Sequence, residues 1–320
     1  MIISFCGDFL PKYPVKFNNT SIFIGNLECA FSEQEIKSYK AYSCILPLDN
    51  MENINGCNFA ALSLANNHSN DANNFNITYK ILKEKYPNIQ FFGTKEKPFA
   101  VFEDVAIIGC LEKSRSRCKY IFKEEDVVNL ITDLKNKHKQ IYVYPHWGKE
   151  GEYTRYPSPA QIKLAHKWID CGATGIFGSH SHVFQGKEIY KNKPIYYSLG
   201  NFFFPHEESK LYPNTDTNIV VSVEENNIKE QFYKFNEDKI EEDDYESNRN
   251  IFNSISEQIK NLNYWKWANL IGSFYLTKNT KSWKIRLKKN FAKTFPLFCV
   301  WNLLPKTILF RIAKTFGNKK

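Results

Sequence analysis

Three apolar runs of this 320-residue chain each end on a histidine or an asparagine. Ile141-Tyr142-Val143-Tyr144 stops at Pro145-His146-Trp147-Gly148, and Gly175-Ile176-Phe177-Gly178 stops at Ser179-His180-Ser181-His182. Pro194-Ile195-Tyr196-Tyr197 leads into Ser198-Leu199-Gly200-Asn201-Phe202. Short continuous apolar runs are the pattern of strands buried on both faces. Open α/β sheets build their sites just past the ends of such strands. A His-x-His pair on a strand places both imidazoles on one face, because strand side chains alternate. Imidazoles so placed suit a transition metal.

The start of the chain repeats the pattern. Residues 2–6 read as a strand turning at Gly7-Asp8, and residues 21–24 as a second ending at Gly25-Asn26-Leu27-Glu28. Residues 62–64 run into Ala65-Asn66-Asn67-His68. Helical spacing recurs over residues 78–85, 127–136 and 160–171, the last closed by Gly172. Residues 99–102 and 105–110 form a hairpin pattern around Glu103-Asp104, and residues 218–223 and 228–235 flank a turn at 224–227. Strands alternating with helices predict an α/β fold.

Taken together, the strand ends supply Asp8, Glu28, Asn67, His68, His146, His180 and His182. Carboxylate, imidazole and amide oxygen are ligands that manganese, zinc and iron accept. One bridging carboxylate flanked by His and Asn is how a two-metal hydrolytic site is assembled. The residues therefore predict a centre for two divalent ions.

Charge divides the chain differently. The net charge is +9, yet no Asp or Glu follows Glu257, while 14 Lys and Arg do. Residues 1–257 hold 29 basic and 34 acidic groups, a net of −5. The expected organisation is a metal-binding domain over residues 1–240, then an acidic linker and a basic, aromatic-rich helical tail over residues 241–320. Pro296 and Pro305 would divide that tail into short helices. Lys and Arg interleaved with Trp, Phe and Leu over residues 258–320 fit either an anionic membrane surface or a cap on the main domain. Nothing resembles a nucleic-acid module, and no nucleic acid is expected.

No basic n-region precedes the first apolar run, and no stretch reaches about 18 apolar residues. The expected location is therefore cytoplasmic, with the tail a candidate for attachment to the inner face of the membrane. Eight dispersed cysteines without Cys-x-x-Cys suggest reduced thiols.

The motifs Gly7-Asp8, Asn26-Leu27-Glu28, Ala65-Asn66-Asn67-His68-Ser69-Asn70-Asp71, His146-Trp147-Gly148, Ser179-His180-Ser181-His182 and Tyr197-Ser198-Leu199-Gly200-Asn201-Phe202 resemble the CapA family. That family comprises capsule and poly-γ-glutamate biosynthesis proteins, and the resemblance covers about residues 1–235. It is similar to the calcineurin-like metallophosphatases, which implies a four-layer α/β/β/α sandwich. By the same resemblance Asp8 would ligate one ion, Glu28 would bridge, and Asn67, His146 and His180 would hold the second. His182 would return to the first ion, and His68 would act as general acid or donor to phosphoryl oxygens. Asn26, Trp147, Glu150 and Asn201 would support the pocket.

Two departures from the metallophosphatase pattern stand out. The residue two beyond Asp8 is Leu10 where a histidine is usual, and the bridging position is Glu28 where an aspartate is usual. The implied function is a metal-dependent phosphoester hydrolase acting on a phosphorylated sugar or lipid-linked intermediate of surface-polymer assembly. The alternative is a non-hydrolytic, membrane-associated accessory component of a polymer synthesis or export complex.

Overall fold

The structure, a computed structural model, describes residues 1–33, 43–112, 118–148, 152–207, 212–225 and 227–271. By contact density the chain divides into Met1–Ile259 and Lys260–Lys320. In the first unit the strands begin with β1 (Ile3–Phe9), β2 (Ile22–Leu27), β3 (Ala30–Ser32), β4 (Ile45–Pro47) and β5 (Phe59–Ser63). There follow β6 (Gln90–Phe92), β7 (Phe99–Phe102), β8 (Val105–Leu111), β9 (Gln140–His146) and β10 (Gly175–Phe177). The last are β11 (Lys187–Tyr190), β12 (Lys193–Tyr196), β13 (Asn201–Phe203), β14 (Thr217–Glu224), β15 (Asn227–Phe235) and β16 (Ile240–Glu242). The helices are α1 (Phe75–Lys85), α2 (Val127–Leu134), α3 (Pro159–Cys171) and α4 (Tyr245–Ile259).

One sheet has the order β16-β15-β14-β1-β2-β5-β6, with β13 added parallel to β1. The other has the order β11-β12-β10-β9-β8-β7. The central neighbours β1, β2, β5 and β6 run parallel, as do β8, β9, β10 and β12. Strands buried on both faces explain their unbroken apolar runs, of which β8 (VAIIGCL, every residue buried) is the clearest.

The sheets pack face to face. The Phe5 ring of β1 stacks on Phe177 of β10 at 4.0 Å and meets Tyr142 of β9 edge-on at 5.5 Å. Tyr144 of β9 donates its hydroxyl to the Cys6 carbonyl across the gap. Each such aromatic side chain contributes about 2 kcal/mol by leaving water. Outside the first sheet, Phe75, Tyr79 and Leu82 of α1 and a 3-10 helix at Leu48–Cys57 join a second apolar cluster with Phe23, Phe59 and Leu62. On the second sheet lie α2 and α3, whose Ile131, Ala165 and Trp168 enter the inter-sheet core cluster. Helix, sheet, sheet, helix is the four-layer α/β/β/α order that the resemblance implies.

α3 starts where its sequence directs. Ser158 accepts from the Gln161 amide, the Gln161 side chain accepts from the Ser158 amide, and Pro159 occupies the first turn. The acidic stretch read as a linker carries β16 and leads into α4, whose Ser256 hydroxyl accepts from the Lys187 amide of β11. No disulfide joins the described cysteines. Burial pushes the Cys6, Cys29 and Cys110 thiols up, which keeps them protonated. No helix of the described residues is long and apolar enough to cross a membrane. In the second unit, Asn263 accepts through its side chain from the Trp265 and Lys266 amides and opens a helical turn. Of the basic extension expected over residues 258–320, the part beyond Ile271 lies outside the described residues.

Candidate metal centre

The parallel strands bring their C-terminal ends to one edge of the sandwich, and the predicted residues meet there. Asp8 lies near the end of β1, Glu28 follows β2, Asn66 and Asn67 follow β5, His146 closes β9, and His180 and His182 follow β10. Asp8, Glu28, His146, His180 and His182 are all buried, the two carboxylates completely. Asn67 and His68 form the side nearest solvent, with His68 half-buried.

Around His146 Nε2 stand Asn67 Oδ1 at 2.8 Å, His180 Nδ1 at 2.9 Å and Glu28 Oε1 at 3.3 Å. An amide oxygen, a second imidazole nitrogen and a carboxylate oxygen aimed at one imidazole nitrogen form a set of lone pairs. Neither Glu28 oxygen has a hydrogen-bond partner, although both are buried. The carboxylate's ion-pair partner among the described residues is His146 Nε2, 3.3 Å from Oε1, and a buried carboxylate so sparsely partnered is costly unless a cation meets it. The donor set therefore fits a divalent metal. Glu28 lies within 4.8 Å donor to donor of Asp8 and His146 on one side and of His180 and His182 on the other. That is a position from which one carboxylate can serve two neighbours.

Amides orient these groups. Asn26 donates through Nδ2 to Asp8 Oδ1 at 2.8 Å, and its own Oδ1 accepts from Asn66 Nδ2 at 3.2 Å, which fixes the flip. Asn201 donates to the Thr215 carbonyl, so its Oδ1 faces His182 Nδ1 at 2.8 Å and holds the proton there, leaving Nε2 with its lone pair. Ser179 Oγ and Asn26 Nδ2, each at 3.1 Å, and Asp8 Oδ1 at 3.5 Å face His146 Nδ1, which turns Nε2 toward the cluster. Asp8 Oδ2 accepts from the His180 amide at 3.0 Å. Burial alone would raise the Asp8 pKa, but His146, His182 and Asn26 outweigh it and hold the carboxyl below its usual range.

His180 and His182 correct one expectation. They do not share a strand face, because β10 ends at Phe177 and both residues adopt left-handed backbone, at φ 95° and 59°. Non-glycine residues in that region are strained. The strain turns successive imidazoles inward where a pleat would have set them by alternation. Tyr153, itself at φ 62°, stacks on His182 at 5.2 Å and donates its amide to the Ser181 carbonyl. The Phe204 ring also packs against His182, at 4.9 Å.

His68 does not join the lone-pair set. Its Nδ1 pairs with Asp71 at 2.8 Å, and Asp71 also accepts from the Cys44 amide. Burial alone would lower the His68 pKa, but Asp71 and Glu28 raise it above its usual value. The charged form of the ring is thereby favoured beside the cluster. Trp147, next to His146 in the chain, is buried in the core, where it stacks on Trp168 at 5.3 Å and donates to the Tyr197 carbonyl. Glu150 lies outside the described residues.

Four participants escaped the sequence reading. Three are Asn66, Asp71 and Tyr153, and the signal for the first two was their place in the same Asn66-Asn67-His68-Ser69-Asn70-Asp71 motif. The fourth, His206, follows Phe204-Pro205 after β13. Burial, together with His68, His182 and Lys12, pushes its pKa down to about 4. Its signal was present, because the apolar run Phe202-Phe203-Phe204-Pro205 ends on it as Tyr144-Pro145 ends on His146.

Two face-to-face sheets between helices, with a His–carboxylate–Asn centre at their strand ends, define the class of this protein. Within it, the chain belongs to the family described as bacterial capsule synthesis protein PGA_cap, whose model matches residues 8–206. It is similar to the capsule biosynthesis protein CapA of Bacillus anthracis, at 29% identity over 213 residues, covering 58% of this chain and 51% of that one. It is also similar to the PGA biosynthesis protein CapA of Bacillus subtilis strain 168, at 35% identity over 103 residues, covering 32% and 27%. The chain spans about half the length, or less, of these curated relatives. Among solved structures it is similar to a 5'-nucleotidase precursor from Thermus thermophilus, with 14% identity and a TM-score of 0.47, over 72% of this chain and 54% of that chain.

Proposed function

We propose that this protein is a metal-dependent phosphoester hydrolase that takes part in building a capsule or another surface polymer. The observation that carries the hydrolytic part is the Glu28 carboxylate, buried without a hydrogen-bond partner among Asn67, His146 and His180. The polymer part is supported by family membership and by the names of the two CapA relatives.

A divalent ion held by these residues would supply positive charge to phosphoryl oxygens and make a water more acidic. The chain supplies the rest. Asn201 and Ser179 fix which nitrogen of His182 and His146 faces the cluster. His68, whose charged form Asp71 favours, is the group that would donate to the leaving oxygen. The substrate is a phosphorylated sugar or lipid-linked intermediate in this reading. Attachment to an anionic membrane through residues 258–320 is a separate proposal with its own test, flotation with anionic vesicles.

A second reading, a non-hydrolytic accessory role, is favoured by Leu10, an apolar residue in the buried cluster where a further ligand is usual. The test is hydrolysis of phosphomonoesters, phosphodiesters and sugar phosphates by the full chain loaded with Mn²⁺ or Zn²⁺. The hydrolase reading predicts turnover that a chelator and His146→Ala both abolish. No turnover across the panel by folded, metal-loaded protein would leave the accessory role.

A further inference from the structure

The centre's donors are divided unequally between its two ends. At one end, Glu28 Oε1, Asn67 Oδ1 and His180 Nδ1 already stand 2.8–3.3 Å from His146 Nε2. Donor atoms about 2 Å from a common ion are separated by about that much, so this end is preassembled. At the other end, Asp8 and His182 approach no closer than 3.7 Å, between Asp8 Oδ2 and His182 Nδ1, and that nitrogen faces Asn201 Oδ1. Both Asp8 oxygens already accept a hydrogen bond, from Asn26 Nδ2 and from the His180 amide. Leu10, 1% exposed with its amide on the Phe203 carbonyl, adds no donor.

Charge points the same way. Asp8 and Glu28 are the carboxylates of the two buried clusters, so one divalent ion is neutralised by them. A second would leave two positive charges uncompensated in a buried site, where they are expensive. An anion that brings oxygen ligands and negative charge removes both deficits.

We infer that the centre keeps one ion tightly, among Glu28, Asn67, His146 and His180, and recruits a second at Asp8, Glu28 and His182 only together with an anionic oxygen ligand. The class of ligand is a phosphate-like oxyanion. This rests on the metal reading of the proposed function and adds an order of assembly to it: one ion resident, the second arriving with the substrate.

The experiment is Mn²⁺ binding to the demetallated full chain, by elemental analysis after desalting and by equilibrium dialysis with and without inorganic phosphate. One Mn²⁺ per chain survives desalting. A second binds at least about tenfold more weakly, and phosphate tightens that step by about fivefold or more, the usual range for coupled ligands. Asp8→Asn keeps the retained ion and loses the phosphate-dependent one, and His146→Ala loses the retained ion. If Asp8→Asn does not fold, His182→Asn carries the same expectation, and the wild-type titration decides by itself. Two ions retained without phosphate, none retained, or a second step indifferent to phosphate would overturn the inference. Hydrolysis by a chain that retains two ions would sink this order and leave the hydrolase reading standing. One retained ion without any turnover would do the reverse.

Discussion

His180 Nδ1 lies 2.9 Å from His146 Nε2, with the two rings tilted by 55°. Two imidazole nitrogens facing each other at that distance need a proton or a cation between them. In the metal-free chain the proton is on His146. Burial alone would lower its pKa, yet Glu28 and Asp8 outweigh burial and raise it to about 9.

A metal ion must therefore displace a proton at neutral pH. The apparent metal affinity should rise about tenfold per pH unit between about pH 6 and 8 and level off above about 9. Competition against a chromophoric chelator at each pH measures it, and a flat profile would contradict the assignment. The sign for stability is opposite. A folded-state pKa above the ordinary 6.5 adds stability that is complete below 6.5 and lost as pH rises through about 9. The melting temperature of the metal-free chain should fall across that window, by more than that of His146→Gln.

Asp71 holds the His68 proton. Replacing it with Asn removes the charge and the strongest hydrogen bond that raise the His68 pKa. If His68 is the general acid, the alkaline limb of the pH–rate profile moves to lower pH in Asp71→Asn, and the rate at neutral pH falls by about 10- to 100-fold. An unmoved alkaline limb would remove His68 from that role.

Backbone closeness sets another limit. A Cβ added at Gly7 would stand 1.7 Å from the Gly200 carbonyl oxygen, against backbone that cannot swing away. That oxygen accepts the Asp8 amide, so the clash acts directly on the strand end that carries Asp8. Gly7→Ala should cost about 3 kcal/mol in urea denaturation. A loss below about 1 kcal/mol would mean that β1 and β13 can separate without consequence.

The centre was legible because its residues terminate apolar strands, and the parallel arrangement of β1, β2, β5, β9 and β10 gathers those ends. Burial on both faces made the strands readable as apolar runs, and Ser158, Pro159 and Gly172 marked α3. What stayed hidden depends on backbone or on partners distant in sequence. The inward turn of His180 and His182 comes from left-handed φ values that no periodicity reveals. The orienting bonds of Asn26 to Asn66 and of Asn201 to Thr215 join segments with no shared motif. The strands β3, β4 and β11 are too short or too polar to announce themselves, and the 3-10 helix at Leu48–Cys57 ends on Asn58 in left-handed conformation without a side-chain cap at its start.

The most direct measurement is X-ray absorption at the metal edge on the full chain carrying one equivalent of Zn²⁺. The account predicts imidazole scattering from two histidines and oxygen neighbours at about 2.0–2.1 Å, with the imidazole signal falling in either His146→Ala or His180→Ala. A spectrum of hydrated zinc, or one that neither substitution alters, would contradict the claim that the Glu28–Asn67–His146–His180 cluster is a metal centre.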